Sequence, residues 1–430
     1  MPEKQTKKRS AGSQMWANLW GFIAAGIGLL SIWPSFPAFS QRPGVRRLAL
    51  AQLVATEDPG LAIGTGLLAL WRGWRARSRR ALLLGAVGTA LGLRPLYRRD
   101  QVNRAMADAM RDGLGLGWQR EIPAEHHRAF AQRHRVDTWG PLRYLLRAKV
   151  RETRDVLFAA PDGRPLRLDV YEPALGEGPF PAIVVVHGGA WFHGDKSYYA
   201  FGLHDRWLAG QGYVVFDVQY RLSGRWPAPL ADVKHAIRWV RSNATRFNVD
   251  PGQIALMGRA AGAHLALMAA YTANDPDFAR EYFGEDGGAT GGATGSVDDS
   301  VQAVVASYPP ADLRLWPAED DSAIAHLLGG LPEDRPDVYA EASPVTHVRP
   351  GLPPTLLVHG QRDRMVSPVH SELLTNRLRA AGVTTVLLRI PWGRHGVDGL
   401  LVGLTGPMIQ YDVDRFLAWV FHRESNDSAS

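Results

Sequence analysis

The sequence predicts an α/β domain over residues 151–424, with a mostly parallel central sheet covered by helices on both faces. An N-terminal helical membrane region precedes it. Three observations carry this reading. Short apolar runs of strand length alternate with stretches of helical periodicity through the C-terminal part of the chain. Glycine-rich turns follow directly on several of those runs. The first hundred residues instead combine long uncharged runs with basic flanks.

Composition narrows the function classes. Of the 430 residues, 46% are hydrophobic and 21% charged, enough to bury a sizeable core. No cysteine is present, which excludes a disulfide scaffold, a thiolate metal site and a cysteine nucleophile. The compartment stays open, because a disulfide-free protein can live on either side of a membrane. The net charge of +7 is unevenly spread. Residues 1–100 hold 15 Lys+Arg against 4 Asp+Glu, leaving 34 against 38 for the rest. A nucleic-acid enzyme would carry its basic charge on the folded body. Here the basic charge flanks apolar runs, which points to a lipid bilayer and away from nucleic acid.

Four regions follow: residues 1–100 as membrane anchor with one to three transmembrane helices, 101–150 as helical connector, 151–424 as the α/β domain, and 425–430 as flexible tail. Met15–Trp33 is uncharged, preceded by Lys7, Lys8 and Arg9, and bounded by Trp16, Trp20 and Trp33. That is the pattern of a span across a hydrocarbon core of roughly 30 Å. Leu48–Trp71 is long enough but is interrupted by Glu57, Asp58, Pro59 and Gly60. Ala81–Leu93 is apolar but short. Residues 15–93 are therefore the expected bilayer contact. The basic loop Arg72–Arg80 favours the cytoplasmic side; one or three spans would put the α/β domain outside, the arrangement expected here, and two would leave it in the cytoplasm. The connector is expected to lie on the membrane interface or on the body.

Within the body, strands are expected at Leu166–Tyr171, Ala182–Val186, Tyr213–Tyr220, Ile254–Met257, Val301–Ser307, Thr355–Val358 and Thr384–Ile390. Helices are expected at Pro229–Phe247, Gly262–Tyr271, Ser367–Ala381 and Met408–His422. The doubled Gly-Gly-Ala-Thr at 287–294 reads as a surface loop, since no Lys or helix start follows to make it a phosphate loop.

Four segments carry chemistry. His187-Gly188-Gly189-Ala190-Trp191 follows a strand directly, and its slender backbone can turn N–H groups towards a developing oxyanion. Gly258-Arg259-Ala260-Ala261-Gly262-Ala263-His264 spans a strand-to-helix junction with glycines two residues either side of Ala260. That is the layout of a nucleophile elbow, in which the central residue should be serine. Asp363 follows the strand Thr355–Val358 and can orient an imidazole. His395 follows the strand Thr384–Ile390 and can act as general base and then acid. Elbow, then Asp, then His is the chain order of the α/β-hydrolases. Asp398 is a rival orienter. Trp191 and Tyr220 are candidates for lining a substrate pocket or for core.

Residues 160–424 resemble the α/β-hydrolase esterases of the hormone-sensitive-lipase and carboxylesterase type. The resemblance rests on the HGGAW loop, on Asp217-Val218-Gln219-Tyr220-Arg221-Leu222, and on the GRxAGAHLAL elbow helix. The AGAHLA stretch is also similar to prenylcysteine methylesterases and kynurenine formamidase-like enzymes. It does not extend to residues 1–150. The resemblance implies an α/β-hydrolase fold and an acyl-enzyme mechanism on an ester substrate. It also implies an oxyanion hole from the N–H groups of Gly189, Ala190 and Ala261, with His395 as base and Asp363 as its orienter. His187 would brace the loop and His264 would be structural.

Ala260 departs from that pattern, because a methyl group cannot attack a carbonyl. Loss of the serine from such a triad costs about 10⁶-fold in rate. With the rest of the constellation intact, the pattern favours a Ser→Ala change in an active enzyme. A natural non-catalytic pseudoenzyme or binding protein is the alternative. An amide or formamide hydrolase, or an acyltransferase, could use the same triad. An apolar or lipid-like ester is expected from the anchor's position. No metal and no cofactor is expected: the spacing of His187, His193, Asp195 and His204 matches no zinc pattern, and acyl transfer needs neither.

Overall fold

The structure, a computed structural model, describes residues 2–32, 51–52, 54–124, 149–197, 201–222, 224–278, 298–316 and 323–423. The chain divides into two compact units. One comprises residues 1–105 with 402–408, the other 106–401 with 409–430.

The first unit is helical. Helix α1 runs Pro2–Ile32, α2 Pro59–Arg75, and α3 starts at Arg79 and continues to Leu114, past the unit boundary. The Asp58 side chain accepts the Gly60 N–H, and Pro59 at the first turn needs no partner, so the interruption at 57–60 becomes a helix start. The helices meet through small residues. A Cβ on Gly85 would lie 2.8 Å from Gly66 O, and one on Gly88 2.6 Å from Ala24 Cβ. The large apolar side chains point the other way: Phe22, Leu67, Trp74 and Leu83 are each more than half exposed.

Among the described residues, no helix is long and apolar enough to cross a membrane. Of the expected spans, residues 15–32 of the first lie in a helix whose first third is polar, and Trp33 lies outside the described residues. The stretch from 48 is broken at Asp58. Ala81–Leu93 lies inside a 36-residue helix with arginines at both ends of the apolar stretch. Part of the connector is the end of α3, followed by a 3₁₀ turn at Trp118–Glu121. Residues 125–148, the Gly-Gly-Ala-Thr repeat and the tail lie outside the described residues.

The second unit is an eight-stranded sheet. Its strands are β1 (Val150–Ala159), β2 (Leu166–Pro173), β3 (Phe180–Val186), β4 (Val214–Val218), β5 (Val249–Arg259), β6 (Ala303–Ser307), β7 (Thr355–Gly360) and β8 (Thr385–Ile390). Their order is β1-β2-β4-β3-β5-β6-β7-β8. The pairs β1–β2 and β2–β4 are antiparallel and all others parallel. Strands β4 and β6 are buried at every residue, so both faces must be covered. Among the described residues, helices α4 (Phe201–Gly210), α5 (Ala228–Ser242), α6 (Ala261–Tyr271), α7 (Ala323–Leu328), α8 (Pro336–Glu341), α9 (Val369–Ala380) and α10 (Gly406–His422) follow. Helix α6 packs on β3, β5 and β6, and α9 on β7 and β8. Its alanines and glycine keep α6 slim enough to lie buried along its whole length.

The antiparallel start was not foreseen. Strand β1 carries four charged residues in ten and is half exposed, so its period-two signal is weak. Helix α4 was also missed. The expected helix Pro229–Phe247 ends at Ser242, where a 3₁₀ turn at Thr245–Phe247 takes over.

One buried ion pair ties the end of β4 to α5. Asp232 Oδ2 accepts the Arg221 backbone N–H at 2.7 Å, and Asp232 Oδ1 accepts Arg221 Nη2 at 2.8 Å. Removing Asp232 strips the buried Arg221 guanidinium of its buried counter-charge and leaves it the exposed Asp162, 3.4 Å away. Asp232→Ala should therefore destabilise the domain by about 3–5 kcal/mol in urea unfolding. A loss below about 1 kcal/mol, the range of an exposed pair, would show that the pair is not buried as described.

Candidate active site

The four chemical segments meet at the carboxyl ends of β3, β5, β7 and β8, where parallel sheets leave room for ligands. Ala260, between β5 and α6, has φ 50° and ψ −118°. Such backbone persists only where the surroundings hold it. The Ala260 N–H donates to Ser307 O at 3.0 Å, and the Ala260 carbonyl accepts the His264 N–H at 3.0 Å. Space dictates the flanking glycines. A Cβ on Gly258 would lie 2.3 Å from Gly262 O, and one on Gly262 2.1 Å from Val186 O. The turn thus lifts the side chain of residue 260 off the end of β5. Ala261 opens α6, so its N–H is one of the donors a helix start leaves without an intrahelical partner.

The loop after β3 lies against this turn. A Cβ on Gly188 would stand 2.9 Å from Arg259 O and 3.5 Å from Ala260 Cβ. Gly189, Ala190 and Trp191 all have positive φ (130°, 53° and 64°). The Gly189 carbonyl accepts the His193 N–H at 2.9 Å, while the N–H groups of Gly189 and Ala190 donate to no backbone carbonyl among the described residues. These N–H groups and that of Ala261 are the donor set an oxyanion would need.

His395 Nδ1–H donates to Asp363 Oδ2 at 2.8 Å, which places the imidazole's basic lone pair on Nε2. Asp363 Oδ1 accepts the N–H groups of Met365 and Val366 at 2.9 and 3.0 Å. His359 Nε2 stands 3.5 Å from Asp363 Oδ2. Burial pushes the Asp363 carboxyl up, but the hydrogen bonds from His359 and His395 outweigh it and hold the group below the usual carboxylate range. Asp363 therefore stays ionised and keeps the imidazole oriented. Asp398, the rival orienter, is engaged elsewhere: it accepts Arg259 Nε at 2.7 Å and the Tyr308 hydroxyl at 2.7 Å.

A protein-family model described as BD-FAE matches residues 168–378. The probable carboxylic ester hydrolase LipM of Mycobacterium tuberculosis is 31% identical over 350 residues, covering 79% of this chain and 78% of that protein. The chain belongs to the α/β-hydrolase esterase/lipase family. Esterase LipC of the same organism is 35% identical over 238 residues, 53% of this chain. The chain covers only 56% of LipC's own length. Among solved structures, esterase 2 of Thermogutta terrifontis phosphonylated by sarin superposes with a TM-score of 0.51 at 27% identity. That match covers 63% of this chain and 94% of the other.

Trp191 and Tyr220, candidates for a substrate pocket, are core in this family member. Both are under 5% exposed. Trp191 Nε1–H donates to His264 Nδ1 at 3.2 Å, and because an indole N–H only donates, His264 must carry its proton on Nε2. That Nε2–H donates to Ala342 O at 2.7 Å. Tyr220 stacks on His187 at 4.5 Å and donates its hydroxyl to the His187 carbonyl. His187 Nδ1–H in turn donates to Gly188 O at 2.8 Å. Both aromatics hold the glycine loop from beneath. Two residues were missed as part of the site: Arg259 and Tyr308. A charge between two small residues at a buried strand end was the available signal, since it must find a counter-charge.

Burial lowers His187 and His264 to about 4 from 6.5, more than their backbone hydrogen bonds raise them. Between these values the unfolded chain binds protons that the folded chain does not. The stability of the loop and elbow is thus complete above about pH 6.5 and is lost as pH falls towards about 4. Urea midpoints across that window should fall with pH, and His264→Gln, which cannot titrate, should flatten the slope. An unchanged slope in His264→Gln would contradict a neutral buried His264.

Proposed function

We propose that the chain is the nucleophile-less form of a serine esterase that cleaves carboxylic esters through an acyl-enzyme. The observation that carries this reading is the conjunction at one sheet edge of the strained turn at Ala260, the Asp363–His395 pair and the oxyanion loop. In the serine form, His395 Nε2 would take the hydroxyl proton as Oγ attacks the ester carbonyl. The N–H groups of Gly189, Ala190 and Ala261 would receive the developing charge. His395 would then protonate the leaving alkoxide, and a water activated by the same nitrogen would release the acid. Asp363 stays ionised throughout. The family relatives named as esterases and as a carboxylic ester hydrolase support the ester class. An isoprenylcysteine α-carbonyl methylesterase of Arabidopsis thaliana, 28% identical over 274 residues, supports an apolar ester.

As it stands, the chain would bind an ester without turning it over. Intact partners around Ala260 favour a single Ser→Ala change in an active enzyme over a long-decayed pseudoenzyme. A260S should hydrolyse nitrophenyl esters about 10⁶-fold faster than the parent chain, which should stay near background. Inertness of A260S on esters and formamides alike would contradict the catalytic reading and favour a binding protein.

We also propose that residues 15–93 hold the chain to a lipid bilayer. Small residues inside the helical unit and large apolar ones outside support bilayer contact, because lipid solvates an apolar exterior that water does not. The Arg72–Arg80 cluster suits anionic headgroups. The full chain should co-sediment with vesicles containing phosphatidylglycerol, and replacing Leu67, Trp74 and Leu83 by Ser should release it. Equal sedimentation of the triple variant, or none by the parent, would contradict this anchor.

A further inference from the structure

We propose that Arg259, Asp398 and Tyr308 form a clasp that positions His395 over residue 260. The inference rests on the catalytic reading above but on different residues. Arg259 immediately precedes the elbow residue, and its guanidinium is engaged by a carboxylate of the chain itself. It is buried, lies 4.2 Å from the Phe201 ring centroid, and donates Nε–H to Asp398 Oδ2 at 2.7 Å. Asp398 sits three residues after His395, on the same loop. Its other oxygen accepts the Tyr308 hydroxyl at 2.7 Å, and Ser307 Oγ donates to Oδ2 at 3.2 Å. Tyr308 follows the last residue of β6, the residue whose carbonyl accepts the Ala260 N–H. The Tyr308 ring lies 4.6 Å from the His395 ring, tilted by 59°.

These contacts close a circuit. The elbow is tied to β6 through Ala260 and Ser307. The histidine loop is tied to both through Asp398. The ring of His395 rests on the tyrosine that completes the clasp. Asp363 holds the His395 ring at Nδ1. The clasp supplies the second constraint, on the backbone that carries the ring. A charged residue at position 259 thereby couples the nucleophile turn to the base through Asp398.

Tyr308→Phe keeps the ring and the ion pair but removes the hydroxyl. Asp398→Asn keeps size and an acceptor but removes the charge. Two measurements on the full chain separate this proposal from the esterase reading. In the chain with Ala260, the downfield Nδ1 proton of the His395–Asp363 bond is followed by NMR, identified by its loss in His395→Asn. In the A260S background, kcat and KM are measured on a nitrophenyl ester. The clasp predicts a broadened or shifted proton signal in both variants. It also predicts that kcat falls roughly 10- to 100-fold with little change in KM, the effect expected of a misplaced base. Folded variants with an unaltered proton signal and an unaltered kcat would overturn it. If A260S itself is inert, the proton signal still decides the clasp, while the ester rates decide the esterase reading.

Discussion

The turn at Ala260 is the constraint on which the site depends. Its backbone is held at φ 50° and ψ −118° because β5 and α6 meet with no room for side chains at 258 and 262. Strain of this kind costs on the order of 1–3 kcal/mol and survives only in a surrounding that over-determines it. Here that surrounding is the parallel sheet itself. The Ala260 N–H is fixed by β6, its neighbour Gly262 packs on the end of β3, and the helix it launches is buried throughout. A residue at 260 is thus presented at a defined point, whatever its side chain.

The other groups are arranged around that point by the same economy of space. The glycine loop comes down against Arg259 and Ala260, and its shape is kept by aromatic rings packed beneath it. Trp191 is tied through His264 to α6, and Tyr220 to the loop's own backbone. The acid and base arrive from β7 and β8, whose ends touch: a Cβ on Gly360 would meet Gly393 at 2.4 Å. Loop, turn and base are therefore consequences of three close backbone approaches, each made possible by a missing side chain.

This explains what was legible in the sequence. Where a close approach demands glycine, the residue type is dictated and the motif can be read, as at 188–189, 258 and 262. Asp363 and His395 were readable because each lies in the short loop that follows an apolar strand. What could not be read depends on contacts between distant segments. Whether Trp191 and Tyr220 face a pocket or a core is decided by His264, Ala342 and His187, not by local pattern. Asp398 near His395 looked like a competing acid until Arg259 and Tyr308 were seen to occupy it. Strand β1 carries too many charges to show its register, because an edge strand is paired on one side only. The helical unit was legible as apolar but not in its packing, which small residues determine.

The central claim is that the site lacks only a hydroxyl. The most direct test is covalent capture: A260S is treated with an aryl organophosphonate and the intact mass and labelled peptide are determined. The account predicts one phosphonyl group per chain, at position 260, formed rapidly in A260S, slowly when His395→Ala is added, and not at all in the parent chain. No adduct in A260S, or equal labelling with and without His395, would contradict it.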